Sequence, residues 1–340
     1  RDPASFEYPT ALEGSGIVKV GIIGAGAWGT TIAIHLAKLG HDVRLWAHVP
    51  EEVALMAGAR ENVSFLPGHK FPETLSATGK IDPAWELMVN GVPTQYIRSV
   101  YSRFDNLPNV TLVSLSKGIE IGTGLLPTQV LAQVLGTSHP TAVLTGPCIA
   151  KEVVVGQPTA VVVAGAEASM LQTLFSNDRF RVYTSDDKVG VELGGALKNV
   201  MGIAAGMVDG LGLGDNAKAS LLTRGIVEIG RLGVALGAKP HTFNGLAGFG
   251  DLFTTCVSPH GRNRTLGERI GRGESLDAIL QSVTSVAEGV PTTKAVMEQS
   301  REKGVEMPIT EALFGILFEG VDPSAALTKL MTRAARPEHR

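Results

Sequence analysis

The sequence predicts an α/β fold: a Rossmann-like, doubly wound and mostly parallel sheet, followed by an all-helical C-terminal domain. Three observations lead to it. In the first half of the chain, short β-branched runs alternate with helical segments, and the first run is joined to a helix by a glycine-rich turn. After Asp186 only helical periodicity remains. We therefore expect a polar tail at 1–16, an α/β domain at 17–187 and a helical domain at 188–335.

Seven apolar runs are the predicted strands. They are the segments 17–23, 42–46, 86–90, 110–116, 141–146, 159–165 and 181–185. Amphipathic segments lie between several of them, and the first of these, TTIAIHLAKLG, ends at Gly40 as a helix with a glycine C-cap does. Alternation of strands and helices in this order is typical of a parallel sheet.

The second half contains a long helix rich in glycine and alanine, KVGVELGGALKNVMGIAAGMVDGL, over 188–211. Each interior glycine costs roughly 0.5–1 kcal/mol of helix stability, but small residues let helix backbones approach closely. A helix with this composition is predicted to be buried at the centre of the helical domain.

Composition excludes several classes of protein. Of the 340 residues, 44% are hydrophobic and 19% are charged, and the net charge is −3, so a disordered chain or a polyanion-binding protein is not expected. Two cysteines, Cys148 and Cys256, cannot form a disulfide framework. No apolar run approaches the ~20 residues of a membrane span, no zinc-ligand spacing occurs, and the first 16 residues lack the apolar core of a signal peptide. We expect a cytoplasmic protein without a membrane span, metal or nucleic-acid partner.

The turn Gly24-Ala25-Gly26-Ala27-Trp28-Gly29 follows a predicted strand and opens a predicted helix. Gly24 permits the tight turn, Gly26 lets the backbone approach a pyrophosphate, and Gly29 lets the helix pack close to the strand. The helix N-terminus would face the phosphates with its amide groups. The turn predicts an NAD or NADP site; the alternative is a glycine-rich turn in an unrelated α/β protein.

The choice between the two nucleotides depends on the end of the second strand, where NAD-selective sites place a carboxylate about 20 residues after the turn. This strand ends near Trp46, and Glu51 and Glu52 belong to the first turn of the next helix. His48 could bind a 2′-phosphate or face the solvent. Both nucleotides therefore remain open, with NADP slightly favoured.

Six further motifs resemble the bacterial type of NAD(P)-dependent glycerol-3-phosphate dehydrogenase. In the family's order they are FLPGHKFP (65–72), SLSKGIE (114–120), GPCIAKEV (146–153), ELGGALKNV (192–200), GDLFTTCVSPHGRNRTLG (250–267) and VAEGVPTT (286–293). The resemblance implies a Rossmann domain before a helical substrate domain, and a homodimer. It also implies reversible reduction of dihydroxyacetone phosphate to sn-glycerol 3-phosphate for glycerophospholipid synthesis.

The same resemblance assigns catalysis to two lysines. It makes Lys198, in the glycine-rich helix, the acid/base, and it places Lys117 against both the substrate and the nicotinamide. A second cation near Lys198 would lower its pKa toward the range useful for proton transfer. From the residues alone, Lys198 could instead extend from a helix edge to water, and Lys117 could be a solvated lysine at a strand end.

The resemblance also supplies the remaining binding residues. Besides the two lysines, those implied for the substrate are Gly146, Cys148, Asn199, Asp251, Thr255, Gly261, Arg262 and Asn263, with Arg262 and Asn263 on the phosphate. Besides the turn, those implied for the nucleotide are His48, Phe65, Lys117, Ala150, Arg262, Val286 and Glu288. The chain departs from the family at Cys148 and Gly261, both usually serine, at Ile149, usually phenylalanine, and at Phe65, often tyrosine.

Two other functions fit parts of the sequence. A related two-domain dehydrogenase could act on another small hydroxy acid or phosphate, but the lysine pair with Arg262 and Asn263 favours a phosphorylated ketose. A non-catalytic NAD(P) sensor would be expected to lack at least one of the lysines, and both are present.

Overall fold

Eight strands form one sheet in the N-terminal part of the computed structural model, which describes residues 16–282, 287–335 and 337–338. The strands are β1 Lys19–Ile23, β2 Asp42–Trp46, β3 Leu75–Thr78, β4 Leu87–Asn90, β5 Leu112–Ser114, β6 Thr141–Thr145, β7 Thr159–Gly165 and β8 Phe180–Ser185. Their order is β3-β2-β1-β4-β5-β6-β7-β8. Neighbours run parallel except β6 and β7, which are antiparallel. The predicted mostly parallel sheet is confirmed.

Helices cover both faces of this sheet. They are α1 Ala27–Lys38, α2 Pro50–Ala59, α3 Ile97–Tyr101, α4 Pro127–Leu135, α5 Ala150–Val154 and α6 Ala168–Phe175. Successive residues of a strand point to opposite faces, so Ile22 packs in the layer with α1, α2, α5 and α6, while Ile23 packs in the layer with α3 and α4. After α1, Gly40 adopts a φ of 91°, which confirms it as the residue that ends the helix.

Seven of the eight strands were predicted from the sequence, and β3 was not. This strand has only four residues, LSAT, and only Leu75 is buried. It lies at the edge of the sheet, where it pairs with β2 from Val43 opposite Leu75 to Trp46 opposite Thr78. An edge strand that buries one side chain shows no apolar run, so its sequence carried no strand signal.

Helices alone follow β8 in the part of the chain that the structure describes. They are α7 Lys188–Gly210, α8 Gly214–Ala235, α9 Asp251–Val257, α10 Arg262–Gly271, α11 Leu276–Ser282, α12 Gly289–Lys303, α13 Pro308–Phe318 and α14 Pro323–Met331. A π-helical segment, Leu246–Gly250, leads into α9. The predicted all-helical domain is confirmed. None of the described helices is long and apolar enough to cross a membrane.

The glycine-rich helix α7 is the centre of this domain, as predicted, and packs against α8, α9, α10, α12 and α13. Its closest neighbour is α10. A Cβ atom on Gly206 of α7 would lie 1.9 Å from the Arg264 carbonyl oxygen, and one on Gly267 of α10 would lie 1.9 Å from that of Ile203. Only glycine permits backbone contact at this distance, which explains why the helix tolerates residues that weaken it.

Candidate active site

The candidate active site lies where the carboxyl ends of β5 and β6 meet α7 and α9. Lys117 follows β5, and Gly146 and Cys148 follow β6. Lys198 lies in the middle of α7, and Asp251 is the first residue of α9. Ligands of open α/β sheets bind outside the carboxyl ends of the strands, so the fold presents both predicted lysines at the expected edge.

Asp251 holds the two lysines together. Its carboxylate is buried, with 2% of the residue exposed; Oδ2 lies 2.6 Å from the Lys117 Nζ and Oδ1 lies 3.1 Å from the Lys198 Nζ. One turn later on α9, the Thr255 Oγ1 accepts a hydrogen bond of 2.6 Å from the Lys198 Nζ. Lys117, Lys198, Asp251 and Thr255 therefore form one connected cluster of side chains.

The two ammonium groups differ in their surroundings. Lys117 also donates to the Gly146 carbonyl oxygen at 3.1 Å and to the Cys148 Sγ at 3.3 Å, so its three protons have three acceptors. Burial disfavours its charge, but Asp251 and Cys148 outweigh burial and raise the pKa of Lys117. Burial of Lys198 lowers its pKa by more than the Asp251 carboxylate raises it, and the positive charge of Lys117 lowers it further. Lys198 is the lysine that can release its proton more easily.

Two asparagines join the lysines to the neighbouring helices. The Asn199 Nδ2 donates to the Lys117 carbonyl oxygen at 2.9 Å, and the Asn263 Nδ2 donates to the Asn199 Oδ1 at 2.9 Å. The Asn263 Oδ1 in turn accepts from the Gly289 amide, at the start of α12, at 3.0 Å. Each amide group retains one N–H outside these bonds. Asn199 thus lies beside Lys117 and Asn263 lies beside Asn199, and contact with a substrate stays a prediction for both.

The predicted phosphate residues lie at the N-terminus of α10. Gly261 is its N-cap and provides no side-chain hydrogen bond, and exposed Arg262 is its first residue. Uncapped amides at a helix N-terminus and a guanidinium are groups that bind phosphate. Burial raises the pKa of Glu288, which precedes α12, and the positive charge of Arg262 acts against this shift.

Thr94 is a further polar residue of the candidate site that was not predicted from the sequence. Its amide lies 3.4 Å from the Glu288 Oε1, and its Oγ1 is buried without a hydrogen-bond partner among the described residues. The available signal was its position four residues after β4, at the same edge of the sheet as Lys117.

The glycine-rich turn fits a dinucleotide. Gly24 has a φ of 112°, and a Cβ atom there would lie 2.6 Å from the Gly91 carbonyl carbon; one on Gly29 would lie 2.1 Å from the Gly24 carbonyl oxygen. Gly26, the N-cap of α1, has nothing within 4 Å of its Cβ position and offers no side-chain cap. The first amides of α1 therefore remain open to a pyrophosphate. The buried Trp28 Nε1 also lacks a partner among the described residues.

A loop after α2 packs on this turn through Asn62, which the sequence analysis did not single out. The buried Asn62 Nδ2 donates to the Ala25 carbonyl oxygen at 2.7 Å and to the Thr30 Oγ1 at 2.8 Å, and its Oδ1 accepts from the Phe65 amide at 3.2 Å. Ala25, Asn62 and Phe65 line one small pocket. Phe65 therefore lies beside the turn, where a nucleotide contact is predicted for it.

The remaining predicted nucleotide residues are at separate places. His48 is exposed, two residues after β2. Ala150 begins α5, and its carbonyl oxygen lies 3.4 Å from the Thr31 Oγ1 of α1, next to the turn. Val286 lies outside the described residues. In the described part of the chain, no three His, Cys, Asp or Glu side chains are grouped to hold a metal ion.

Comparison with known proteins gives the same family over both domains. The model of the NAD-dependent glycerol-3-phosphate dehydrogenase N-terminus matches residues 19–171, and that of the C-terminus matches residues 187–328. A curated relative from Chlorobium phaeobacteroides, named glycerol-3-phosphate dehydrogenase (NAD(P)+), is 47% identical over 332 residues, which are 95% of this chain and 100% of the relative. A relative from Salinibacter ruber, named glycerol-3-phosphate dehydrogenase (NAD(P)+) 2, is 48% identical. The match covers 94% of this chain and 95% of the relative.

A solved structure agrees with these relatives. The crystal structure of glycerol-3-phosphate dehydrogenase from Coxiella burnetii has a TM-score of 0.89 to this chain and 37% sequence identity, and the match covers 93% of this chain and 99% of the other. The chain belongs to the NAD-dependent glycerol-3-phosphate dehydrogenase family.

Proposed function

We propose that this protein is an NAD(P)-dependent sn-glycerol-3-phosphate dehydrogenase that reversibly reduces dihydroxyacetone phosphate, with Lys198 as the acid/base. The observation that carries the proposal is the buried Asp251 carboxylate, which holds Lys117 and Lys198 at the carboxyl edge of the sheet. Relatives that carry this enzyme's name match nearly the whole chain. The product would supply the backbone of glycerophospholipids.

The nucleotide, NAD or NADP, supplies the hydride when bound. The turn Gly24 to Gly29 and the N-terminus of α1 would hold its pyrophosphate. Trp28, Phe65, Ala150 and Glu288 are the further nucleotide contacts that we propose. The binding domain would comprise residues 17–187 and the substrate domain 188–335, a division supported by the end of β8 at Ser185 and the start of α7 at Lys188.

Proton transfer would fall to Lys198. Two of its three ammonium protons face Thr255 and Asp251, which leaves the third for the substrate oxygen. During reduction Lys198 gives this proton to the forming alkoxide, and during oxidation it takes the hydroxyl proton back. Burial and the charge of Lys117 favour the neutral amine, so the transfer is easier than from an exposed lysine.

Lys117 would act through its charge. Its three acceptors fix the ammonium group, and its raised pKa keeps it protonated throughout the reaction. A fixed positive charge close to the developing alkoxide stabilises the transition state, because the charge needs no reorganisation as the oxygen becomes negative.

Arg262, Asn263 and the N-terminus of α10 would bind the substrate phosphate. The guanidinium is a planar donor that matches phosphate oxygens, and the helix amides add donors on a fixed backbone. Binding energy from this remote group orients the ketone toward Lys198. An enzyme for an unphosphorylated hydroxy acid would have no use for these donors.

We also propose that the enzyme is a homodimer. Phe249, Phe253 and Val257 are exposed at a spacing of four residues along the π-helical segment and α9, which gives one apolar stripe that a second copy would cover. Sedimentation of the wild type and of Phe253→Asp tests this: a monomeric wild type would refute the dimer, and a dimeric Phe253→Asp would exclude this stripe.

The activity is tested by following oxidation of NADPH and NADH with dihydroxyacetone phosphate. We expect turnover by the wild type and by Lys329→Ala, which removes an exposed lysine on α14. Lys198→Ala should lower kcat by about 10²–10⁴-fold while the nucleotide still binds. Absence of turnover with both nucleotides in the wild type would refute the dehydrogenase. Nucleotide binding without turnover is the result that a sensor would give.

A further inference from the structure

The strand that the sequence analysis missed brings a second segment to the end of β2. β2 and β3 run parallel and in register up to Trp46 and Thr78, and the next ladder bond joins the Ala47 amide to the Thr78 carbonyl oxygen at 3.1 Å. Both strands therefore end at the same level of the same edge. Gly79, the residue after Thr78, lies beside Ala47, the residue before His48.

This place matters for the choice of nucleotide. In a dinucleotide-binding sheet the end of β2 lies at the adenosine ribose, where a carboxylate selects NAD and a basic side chain accommodates the 2′-phosphate of NADP. Here the residues directly after β2 are Ala47 and His48, neither of which is acidic. A 2′-phosphate carries close to two negative charges, and the exposed His48 ring alone offers at most one.

Lys80 is the cation that β3 adds. A Cβ atom on Gly79 would lie 3.9 Å from the Ala47 carbonyl oxygen, so the backbone next to Lys80 runs along the end of β2. The Thr78 Oγ1 accepts from the Lys80 amide at 3.0 Å and lies 3.3 Å from the Lys80 carbonyl oxygen, which fixes the turn. The Lys80 side chain is exposed, and it forms no ion pair with any residue that the structure describes.

We propose that Lys80, together with His48, binds the 2′-phosphate of NADP and gives this enzyme a preference for NADP over NAD. The proposal rests on the function proposed above, since it concerns that enzyme's nucleotide. Glu51 and Glu52 are acidic side chains in the first turn of α2, which begins four residues beyond the end of β2. They would oppose a phosphate and could accept from a ribose hydroxyl, so they represent the competing, NAD-selective arrangement.

Binding measurements decide between the two arrangements without requiring turnover. We would titrate NADPH and NADH into the wild type, Lys80→Ala and Lys80→Arg, and follow their fluorescence. Lys80→Ala should raise the Kd of NADPH by about tenfold and change that of NADH by less than about twofold, because only NADPH carries the extra phosphate. Lys80→Arg should retain the tight binding of NADPH. Lys329→Ala, which removes an equal charge far from β3, should change neither Kd.

Fragments locate the effect on the nucleotide. Lys80→Ala should weaken competition by adenosine 2′,5′-bisphosphate and leave that by 5′-AMP unchanged. An unchanged ratio of the NADPH and NADH constants in Lys80→Ala would overturn the proposal. If Glu52→Gln weakens NADH binding and Lys80→Ala changes neither Kd, the NAD-selective arrangement is present instead. A wild type without turnover on dihydroxyacetone phosphate refutes the dehydrogenase, whereas a Lys80-dependent NADPH affinity would still establish this contact.

Discussion

At the scale of single residues, Asp251 explains how two buried lysines share one site. Both candidates were recognised in the sequence because each lies in a motif, but their separation from Asp251 along the chain, 134 residues for Lys117, gives no sign that they meet. The sequence also does not show that the two lysines have different hydrogen-bond partners. These acceptors lie after β6 for Lys117 and on α9 for Lys198. Sequence identified the residues, and only the fold shows which of them can titrate.

Asp251→Asn should shift the pH dependence of the reaction. The carboxylate raises the pKa of Lys198, so its removal should lower that pKa further. Reduction needs the ammonium form of Lys198 and is lost as pH rises through the pKa; in the variant, this loss should begin at a lower pH. Oxidation needs the neutral amine, so its rate rises with pH, and in the variant this rise should also begin at a lower pH. The measurement is kcat against pH in both directions, and a profile that moves to higher pH would contradict this arrangement.

Arg262→Ala should act on the substrate phosphate. We expect the KM for dihydroxyacetone phosphate to rise by about tenfold to a hundredfold, the range for loss of a hydrogen bond to a charged group. Unphosphorylated dihydroxyacetone, as a poor substrate, is the control. Its kcat/KM should be the same in the wild type and the variant, since it lacks the group that Arg262 binds. An equal loss with both substrates would assign Arg262 to the nucleotide rather than to the phosphate.

At the scale of elements, the sequence predicted those with strong periodicity or composition. The seven predicted strands carry apolar and β-branched residues, and α7 was recognisable from its glycines and alanines. β3 was missed because it buries one side chain, and the π-helical segment before α9 has no sequence signal of its own. Both elements matter for the site: one carries Lys80 to the nucleotide edge and the other leads directly into Asp251.

Gly206→Ala should separate α7 from α10. The new methyl group would meet backbone, which cannot rotate away as a side chain can, so we expect a loss of about 1–3 kcal/mol in the free energy of unfolding. The KM for substrate should also rise, because α10 carries Arg262. Gly58→Ala in α2 is the matched control. Nothing lies within 4 Å of its Cβ position, and alanine should leave stability equal or higher by up to about 1 kcal/mol. Urea unfolding measures the free energy of unfolding of both variants. A Gly206→Ala variant as stable as the wild type would contradict the close contact.

At the scale of the whole molecule, Glu192 connects the two domains. It lies on α7, and its carboxylate accepts from the amide of Thr128 on α4 at 2.9 Å and from the Thr128 Oγ1 at 2.6 Å. Burial raises the pKa of Glu192 to about 7, while the bonds from Thr128 and the charge of Lys188 act in the opposite direction. The motif ELGGALKNV contains this residue, but nothing in the sequence indicates that its partner lies 64 residues earlier in the other domain.

The contribution of Glu192 to the free energy of unfolding should therefore fall as pH rises toward neutrality. The unfolded chain releases the Glu192 proton near pH 4.5 and the folded chain near pH 7, so the stabilisation is complete below pH 4.5 and is lost between these values. A shift of this size corresponds to roughly 3 kcal/mol. Buried His35, whose pKa burial lowers to about 4, has the opposite dependence: it destabilises the fold as pH falls from 6.5 toward 4. The two effects oppose each other over most of this range in the wild type.

Glu192→Gln separates these two contributions. Glutamine keeps an acceptor for Thr128 and cannot ionise, so the stability of the variant relative to the wild type should increase from pH 4.5 to 7, by up to the same ~3 kcal/mol. The fall of stability below pH 6.5, to which His35 contributes, should become steeper in the variant. Glu73→Gln, at an exposed position in the loop before β3, serves as the control and should follow the wild type. Urea unfolding at several pH values measures the difference, and a constant difference between Glu192→Gln and the wild type would show that Glu192 does not titrate in this range.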